Sequence, residues 1–266
     1  MTESLSDRMK QLEGLEAGRY FIPNLPILVR IDGKCFHSYT KKFDTPFDHE
    51  LIRAMQNTTV RLMKETQALV GYTQSDEITL LFHGDTVFMN GKVHKMVSLL
   101  ASMTTAFFND EAKHFTPGKV NRIACFDCRC WQVPEKDVGY VFLWREMDAV
   151  RNSIQMVAQS MYSPTQMHKK NCDELQEMIF QKGTNWNNFP THLKRGSYFH
   201  KVKRIRTFTP DELVKLPTLH EARTNPDLQI ERTDVERWEL PSLLTVTNRS
   251  EMFLNTEVQV YGKETT

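Results

Sequence analysis

Two acidic positions in the first third of the chain have the setting of a phosphoryl-transfer site. Asp32 follows the apolar run Pro26-Ile27-Leu28-Val29-Arg30-Ile31 and precedes Gly33, while Asp76 stands with Glu77 in the polar interruption Gln74-Ser75-Asp76-Glu77 between two apolar segments. Carboxylates brought together repel, and one of them is driven toward protonation unless a cation lies between them. Magnesium suits that setting, since one or two carboxylates plus substrate phosphates form its usual ligand set. A second ion at about 3.5–4 Å would let the pair activate a hydroxyl and stabilise a leaving phosphate. Asp32 and Asp76 are therefore the metal-ligand candidates. The Gly33 carbonyl is available as a third ligand, because glycine lets the backbone approach closely, and Glu77 is the adjoining carboxylate. Each dipeptide taken singly is equally an ordinary turn, where Asp and Gly abound, so the reading depends on the fold bringing them together.

The elements that would do so are legible from periodicity. A polar, helical lead is followed by the short β-branched run ending at Asp32-Gly33, which reads as a buried strand. Thr45 and Asp48, with Pro46 at the first helical position, signal the start of a helix carrying Leu51, Met55, Leu62 and Leu69. Val70 to Thr73 and Ile78 to Phe82 read as strands on either side of a hairpin turn. Val93, Met96, Val97, Leu100, Met103, Thr104 and Phe107 form a second helical stripe, and Ile123 to Val133 alternates as a strand. The order β-α-β-β-α-β is the split βαβ, ferredoxin-like unit of an α+β fold, whose first and third strands lie antiparallel at the sheet centre. Asp32 and Asp76 would then meet at one edge of the sheet.

The remainder is more helical, with Trp144 to about Met161 and Cys172 to Phe180 as helices, a loop at Gly183 to Asn188 and a basic strand at Ser197 to Val202; from Pro210 the pattern fades. The chain thus divides into a core at 1–135 and a helical, basic portion at 136–266 packed on it. Lys194, Arg195, Lys201, Lys203, Arg204 and Arg206 make the only dense basic stretch, with Trp186, Tyr198 and Phe199 nearby. That pattern suits phosphates and unpaired bases as well as it suits a solvated edge strand. Asp148 and Asn152 fall one helical turn apart on one face.

At 266 residues, with 34 Lys plus Arg against 33 Asp plus Glu, the chain has the length for an enzyme core and no overall charge favouring an acidic partner, so any nucleic-acid site is a local patch. Its five cysteines are an odd number without a leading apolar signal segment, which fits reduced thiols in the cytoplasm. Cys125 and Cys128 form a lone CxxC on a strand that points them to opposite faces, so neither a disulfide nor a four-ligand zinc site is expected. The apolar runs are far shorter than the roughly 20 residues that cross a bilayer, and no membrane association is expected.

The ordered blocks add a resemblance. Arg30-Ile31-Asp32-Gly33 continuing to Phe36-His37, then Tyr72-Thr73-Gln74-Ser75-Asp76-Glu77, look like the two signature blocks of the tRNA(His) guanylyltransferase family. Phe126-Asp127-x-Arg129, Trp144-Arg145-x-x-Asp148, Trp186-Asn187-Asn188 and Lys194-Arg195-Gly196 resemble the later ones in the same order, so the likeness spans most of residues 5 to 245. It implies a polymerase-like palm and a homo-tetramer. It also implies a reaction in which ATP or GTP activates an RNA 5′ end before the 3′ hydroxyl of an incoming nucleotide attacks. By block matching, Asp32, Gly33 and Asp76 take two magnesium ions, with Glu77 in the catalytic set. Lys34, Cys35, Phe36, His37, Ser75, Asp76, Lys95 and Arg129 surround the nucleotide, and Asp148, Asn152, Asn187, Lys194 and Arg195 face tRNA. His37 is otherwise a loop histidine, Lys95 a solvated helix lysine, and Arg129 the ion-pair partner of Asp127. In place of the His-Ile-Asn-Asn-Leu-Tyr block of the eukaryotic enzymes, associated with reading the histidine anticodon, this chain has Arg151-Asn152-Ser153-Ile154. That form is more similar to the guanylyltransferase-like proteins of bacteria, archaea and phages, which are implied to repair truncated tRNA 5′ ends by templated addition.

Two rival expectations use the same residues. A nucleotidyl cyclase places two metals and paired carboxylates on a single triphosphate and needs no RNA. An RNA-binding protein without turnover would keep the palm as a platform, which the joint presence of Asp32, Asp76 and Glu77 argues against.

Overall fold

The computed structural model describes residues 4–85, 88–225 and 227–255. In chain order its elements are α1 (Leu5–Ala17), β1 (Ile27–Gly33), α2 (Phe36–Tyr39), α3 (His49–Glu65), β2 (Val70–Gln74), β3 (Glu77–Phe82), α4 (Val93–Ala112) and β4 (Phe126–Gln132). There follow α5 (Val138–Gln159), α6 (Pro164–Met167), α7 (Cys172–Gln181), α8 (Thr191–Arg195), β5 (Ser197–Thr207), α9 (Pro210–Lys215), β6 (Gln229–Trp238) and α10 (Arg249–Asn255). One antiparallel sheet runs through the molecule in the order β4-β1-β3-β2-β5-β6. Its first four strands have the ferredoxin-like arrangement expected from the β-α-β-β-α-β order, with β3 beside β1 and antiparallel to it. The sheet does not end with that unit, because β5 pairs with β2 and β6 with β5.

Both faces of the sheet are covered, which is why β1 is apolar on consecutive positions and alternates only where it nears Asp32. Val29 and Ile31 pack with Met55, Leu62, Met96, Leu100 and Phe108 under α3 and α4. Leu28, Tyr72 and Leu81 pack on the other face with Phe142 and Ala149 of α5 and Met252 and Phe253 of α10. A smaller cluster, Ile154, Val157, Leu175 and Ile179, joins α5 to α7.

Several boundaries shift, each for a local reason. Helix α3 is capped by Asp48, whose side chain accepts from the Leu51 amide at 2.9 Å, so Pro46, joined to Thr45 by a cis peptide, lies ahead of the cap and not at the first helical position. Leu69 falls outside α3, which stops at Glu65, with the Thr66 hydroxyl turned back onto the Leu62 carbonyl at 2.7 Å. Helix α5 begins at Val138, before Trp144. The strand expected at Ile123 begins at Phe126; Cys125 is exposed while Cys128 is buried, and all five cysteines are free.

The largest departure is beyond residue 202. Strand β5 continues to Thr207 and forms a ribbon with β6, a strand that fading periodicity hid. Since β2 ends its pairing with β5 at His200, the seven residues that follow carry the ribbon roughly 20 Å past the sheet. Both its faces meet solvent, so neither strand shows an apolar rhythm. Among the described residues no helix is long and apolar enough to cross a membrane.

Candidate active site

Strand β1 runs toward one edge of the sheet and ends at Gly33; β3 starts from that edge. Asp32 pairs in register with Glu77 on one side and with Asp127 of β4 on the other. Ser75 and Asp76 form the tight turn between β2 and β3, with Ser75 at φ +54°, and the Gly33 amide donates to the Asp76 carbonyl at 3.1 Å. The two aspartates thus sit at neighbouring points of one edge, as the topology required. Burial, and after it the charge of Asp32, pushes the Asp76 carboxyl up to about 6. Burial is the larger cause and the neighbouring carboxylate adds to it, and together they mark a place where a cation would be stabilised. A Cβ on Gly33 would lie 2.2 Å from the Phe36 ring, so only glycine lets the chain turn here with its backbone beside both carboxylates.

No group of three or more His, Cys, Asp and Glu side chains among the described residues is placed to hold a metal. The donors at this edge are two carboxylates and backbone oxygen, and that set fits magnesium, which keeps waters and substrate phosphates among its ligands.

Glu77 is held between two arginines. Arg30 Nε donates to its Oε2 at 2.6 Å, and Arg145 Nη1 reaches Oε2 at 2.8 Å and Oε1 at 3.1 Å. Burial raises the Glu77 carboxyl while Arg145 and Arg30 draw it down. Both oxygens are occupied by guanidinium groups, so Glu77 anchors the strand next to Asp76 and is not free to ligate. Arg30 also approaches Asp32 Oδ2 at 3.5 Å. Arg30 and Arg145 stand within the motif blocks, yet no role for them was read from the sequence; for Arg30 the signal was its place two residues before Asp32, on the same strand face.

Beside the carboxylates opens a cavity of about 600 Å³, lined by Phe36, His37, Asp44, Thr45, Ser75, Asp76, Gln159 and Ser160 among others. Its size is that of a small-molecule site. His37 and Ser75 therefore stand where a nucleotide beside Asp76 would lie. Lys34 and Cys35 are exposed on the loop between β1 and the cavity, Cys35 holding φ +57° at the start of α2. Phe36 is mostly core, its ring packed on Tyr39, Phe108 and Phe126. Asp44, Thr45, Gln159 and Ser160, contributed by a loop and by the end of α5, were missed, since nothing in their spacing points to the cavity.

Lys95 is not brought to the site. It lies in the first turn of α4, where the Val93 amide bonds to the Arg19 carbonyl ahead of β1, whereas Thr105 of the same helix bonds to Phe126 at the carboxylate edge. Ten helical residues separate the two levels, roughly 15 Å. Arg129 is on β4 opposite Arg30; it is exposed and pairs with Asp127 at 3.3 Å.

The residues expected to face RNA divide in two. Gly196, at φ +79° and with no room for a Cβ against Tyr72 and Thr73, leads into β5, where Ser197 pairs with Thr73. Lys194, Arg195 and Asn187 therefore lie near the carboxylate edge. Lys194 Nζ donates to the Asn187 carbonyl at 2.6 Å, and Arg195 approaches Glu146 at 3.8 Å. Asn152 is half-buried on α5. Asp148 is committed to Arg145 and Arg151, which leaves it unsuited to direct RNA contact. The other basic residues of the expected patch are matched internally as well: Lys201 donates to the Thr66 carbonyl, Lys203 pairs with Glu231, Arg204 with Glu236 and Arg206 with Glu212. On the ribbon Lys203 and Arg204 form cross-strand ion pairs with β6, while Arg206 is held by Glu212 of α9.

A ferredoxin-like antiparallel sheet with two carboxylates at one edge, opening on a cavity of nucleotide size, defines a palm-type nucleotidyl-transfer protein. The sequence model of the family described as "Thg1: tRNAHis guanylyltransferase" matches residues 6–134. The tRNA(His) guanylyltransferase of Schizosaccharomyces pombe is 30% identical over 213 residues, covering 74% of this chain and 80% of that protein. Two solved structures of bacterial tRNA(His) guanylyltransferase (Thg1)-like protein are also similar. The complex with ATP has a TM-score of 0.69 and 36% identity, covering 75% of this chain and 87% of that one. The complex with GTP has a TM-score of 0.69 and 30% identity, covering 91% and 94%. The chain belongs to the tRNA(His) guanylyltransferase (Thg1) family.

Proposed function

We propose that this protein is a tRNA 5′-end nucleotidyltransferase working in the 3′–5′ direction, with ATP or GTP activating the RNA end before an incoming nucleotide is joined to it. The convergence of Asp32 and Asp76 beside the His37–Ser75 cavity, in a chain of this family, carries the reading. Neither a cyclase nor a binding protein without turnover is favoured by that combination.

Asp32, Asp76 and the Gly33 carbonyl would hold two magnesium ions. Bound there, they would supply activation of the attacking 3′ hydroxyl and charge stabilisation of the leaving phosphate. The chain's own residues do the rest. The cavity lined by His37, Ser75 and Phe36, with Lys34 and Cys35 on the adjoining loop, takes the activating nucleotide, and Arg129, exposed on β4, offers a guanidinium fork to triphosphate oxygens. Glu77 belongs to the catalytic set as the anchor of the Asp76 turn. Residues 1–135 form the catalytic core. The portion at 136–266 packs on it and presents Asn152, Asn187, Lys194 and Arg195 to the tRNA. A cytoplasmic location and a homo-tetramer complete the proposal; Leu5, Met9, Leu12 and Leu15, all exposed on α1, supply apolar surface for association, and light scattering in solution reads the assembly.

The test is incubation with magnesium, each triphosphate and a set of 5′-truncated tRNAs, scoring extension on a sequencing gel. Templated addition to several tRNAs is expected, with Asp32→Ala or Asp76→Ala reducing the rate by at least about 100-fold through loss of a metal ligand. Cyclic nucleotide made without RNA, or an Asp76→Ala protein that retains full activity, would refute the reading.

A further inference from the structure

Asp148 and Arg145 lie on α5 and belong to the helix that covers the sheet, not to the strands that carry the carboxylates. Arg145 is nonetheless nearly sealed from solvent, its side chain 5% exposed, and its guanidinium is held from two sides. Nη1 bonds to both oxygens of Glu77, Nη2 bonds to Asp148 Oδ2, and the buried Nε has no partner. Two carboxylates supply its hydrogen bonds, and the centre of the Trp144 ring lies 3.8 Å from the guanidinium carbon. Asp148 is in turn held by Arg151, whose Nη2 donates to Oδ1 at 2.6 Å.

Resting on the two-metal reading of the site, we propose that Asp148 and Arg145 are positioning residues for the carboxylate pair, setting its affinity for divalent cations. The geometry runs in one line: Asp148 orients Arg145, Arg145 with Arg30 clamps Glu77, and Glu77 follows Asp76 in the chain and pairs in register with Asp32. Arg30 and Arg145 bring two positive charges next to a place that must attract cations; Glu77 and Asp148 offset them, Asp148 being shared with the exposed Arg151. Removing the Asp148 charge leaves a buried guanidinium under-compensated beside Asp32 and Asp76, which opposes a dication there and loosens the clamp on Glu77. Outer partners of ligating groups change metal affinity by about 10–100-fold when lost. Asp148 thus acts through Arg145 and not through contact with RNA.

The test uses the full chain and manganese as the probe. Binding of Mn²⁺ to wild type, Asp148→Asn and Asp148→Glu is measured by titration calorimetry without nucleotide, and binding of tRNA to the same proteins is measured by filter binding in EDTA. Asp148→Asn, a swap of the same size at a partly exposed side chain, is expected to weaken Mn²⁺ binding about tenfold with tRNA affinity unchanged, and Asp148→Glu to recover most of the loss. Unchanged Mn²⁺ binding in Asp148→Asn, or a loss confined to tRNA, overturns the positioning role while the metal reading stands. Absence of Mn²⁺ binding to wild type refutes the metal reading and this assignment with it.

Discussion

At the scale of single residues the site is a balance of charges around one turn. Asp76, at about 6 in the folded chain, compares with about 4 for an aspartate in an unfolded one. A carboxyl raised in this way favours the folded state below about pH 4, and that contribution is lost as pH rises through 6. The metal-free protein is therefore expected to carry a strained site at neutral pH. Asp76→Asn should melt higher than wild type at pH 7.5 in EDTA, with the difference shrinking toward pH 4, while the variant is inactive. Calorimetric melts across that range check it; a wild type more stable than Asp76→Asn at pH 7.5 without metal would contradict the assignment of the shift. The same protonation competes with cations, so the magnesium concentration for half-maximal extension should fall as pH is raised from 5.5 to 7.5.

At the scale of elements, two glycines let strands and turns meet where side chains would collide. Gly33 lies against the Phe36 ring, and Gly196 lies against Tyr72 and the Thr73 carbonyl. Gly196 also adopts φ +79°, which residues with a Cβ rarely hold. Its position matters beyond the turn, because the Tyr72 hydroxyl donates to the Arg195 carbonyl at 3.0 Å and Ser153 of α5 donates to the Lys194 carbonyl at 3.2 Å. Gly196→Ala is expected to destabilise the fold by roughly 1–3 kcal/mol, and to raise the KM for tRNA more than that for triphosphate, since it displaces α8 and spares the β1–β3 edge. Gly33→Ala should do the opposite, damaging kcat through the carboxylates while tRNA binding is kept. Steady-state kinetics with each substrate varied separates them.

At the scale of the whole molecule, α10, the last helix among the described residues, closes the second face of the sheet. Phe253 is 1% exposed and stacks on Phe142 of α5 at 4.2 Å, in the cluster that also holds Tyr72 and Tyr198. Glu146 ties the preceding segment to α5, accepting from the Leu243 amide at 3.0 Å, from Ser242 at 3.2 Å and from Tyr198 at 3.1 Å. Phe253→Ala should cost about 3–5 kcal/mol, a fall of roughly 10 °C in melting temperature readable by circular dichroism. If the melting temperature is unchanged, α10 does not lock α5 to the sheet.

The division between what sequence alone determined and what only tertiary structure decided follows from the range of the forces involved. Local periodicity and turn chemistry act over a few residues, and they were enough to lay out β1 to β4, to place the two long helices α3 and α4, though not the short α2, and, through the handedness of the crossovers, to predict that Asp32 and Asp76 meet. The ordered blocks carried the family on their own, because residues that face one substrate keep their types and order in the chain. Long-range partners could not be read in this way. Which guanidinium faces Glu77, where along α4 Lys95 falls relative to the sheet edge, and whether Lys203 and Arg204 meet phosphates or the acids of a second strand, and Arg206 those of a helix, all depend on register and helix placement. Strand β6 escaped for the same reason: a ribbon exposed on both faces buries no alternate stripe, so its pairing is decided by the strand beside it. Charge in a sequence marks where a partner is needed, and only packing decides whether that partner is a ligand or the chain itself.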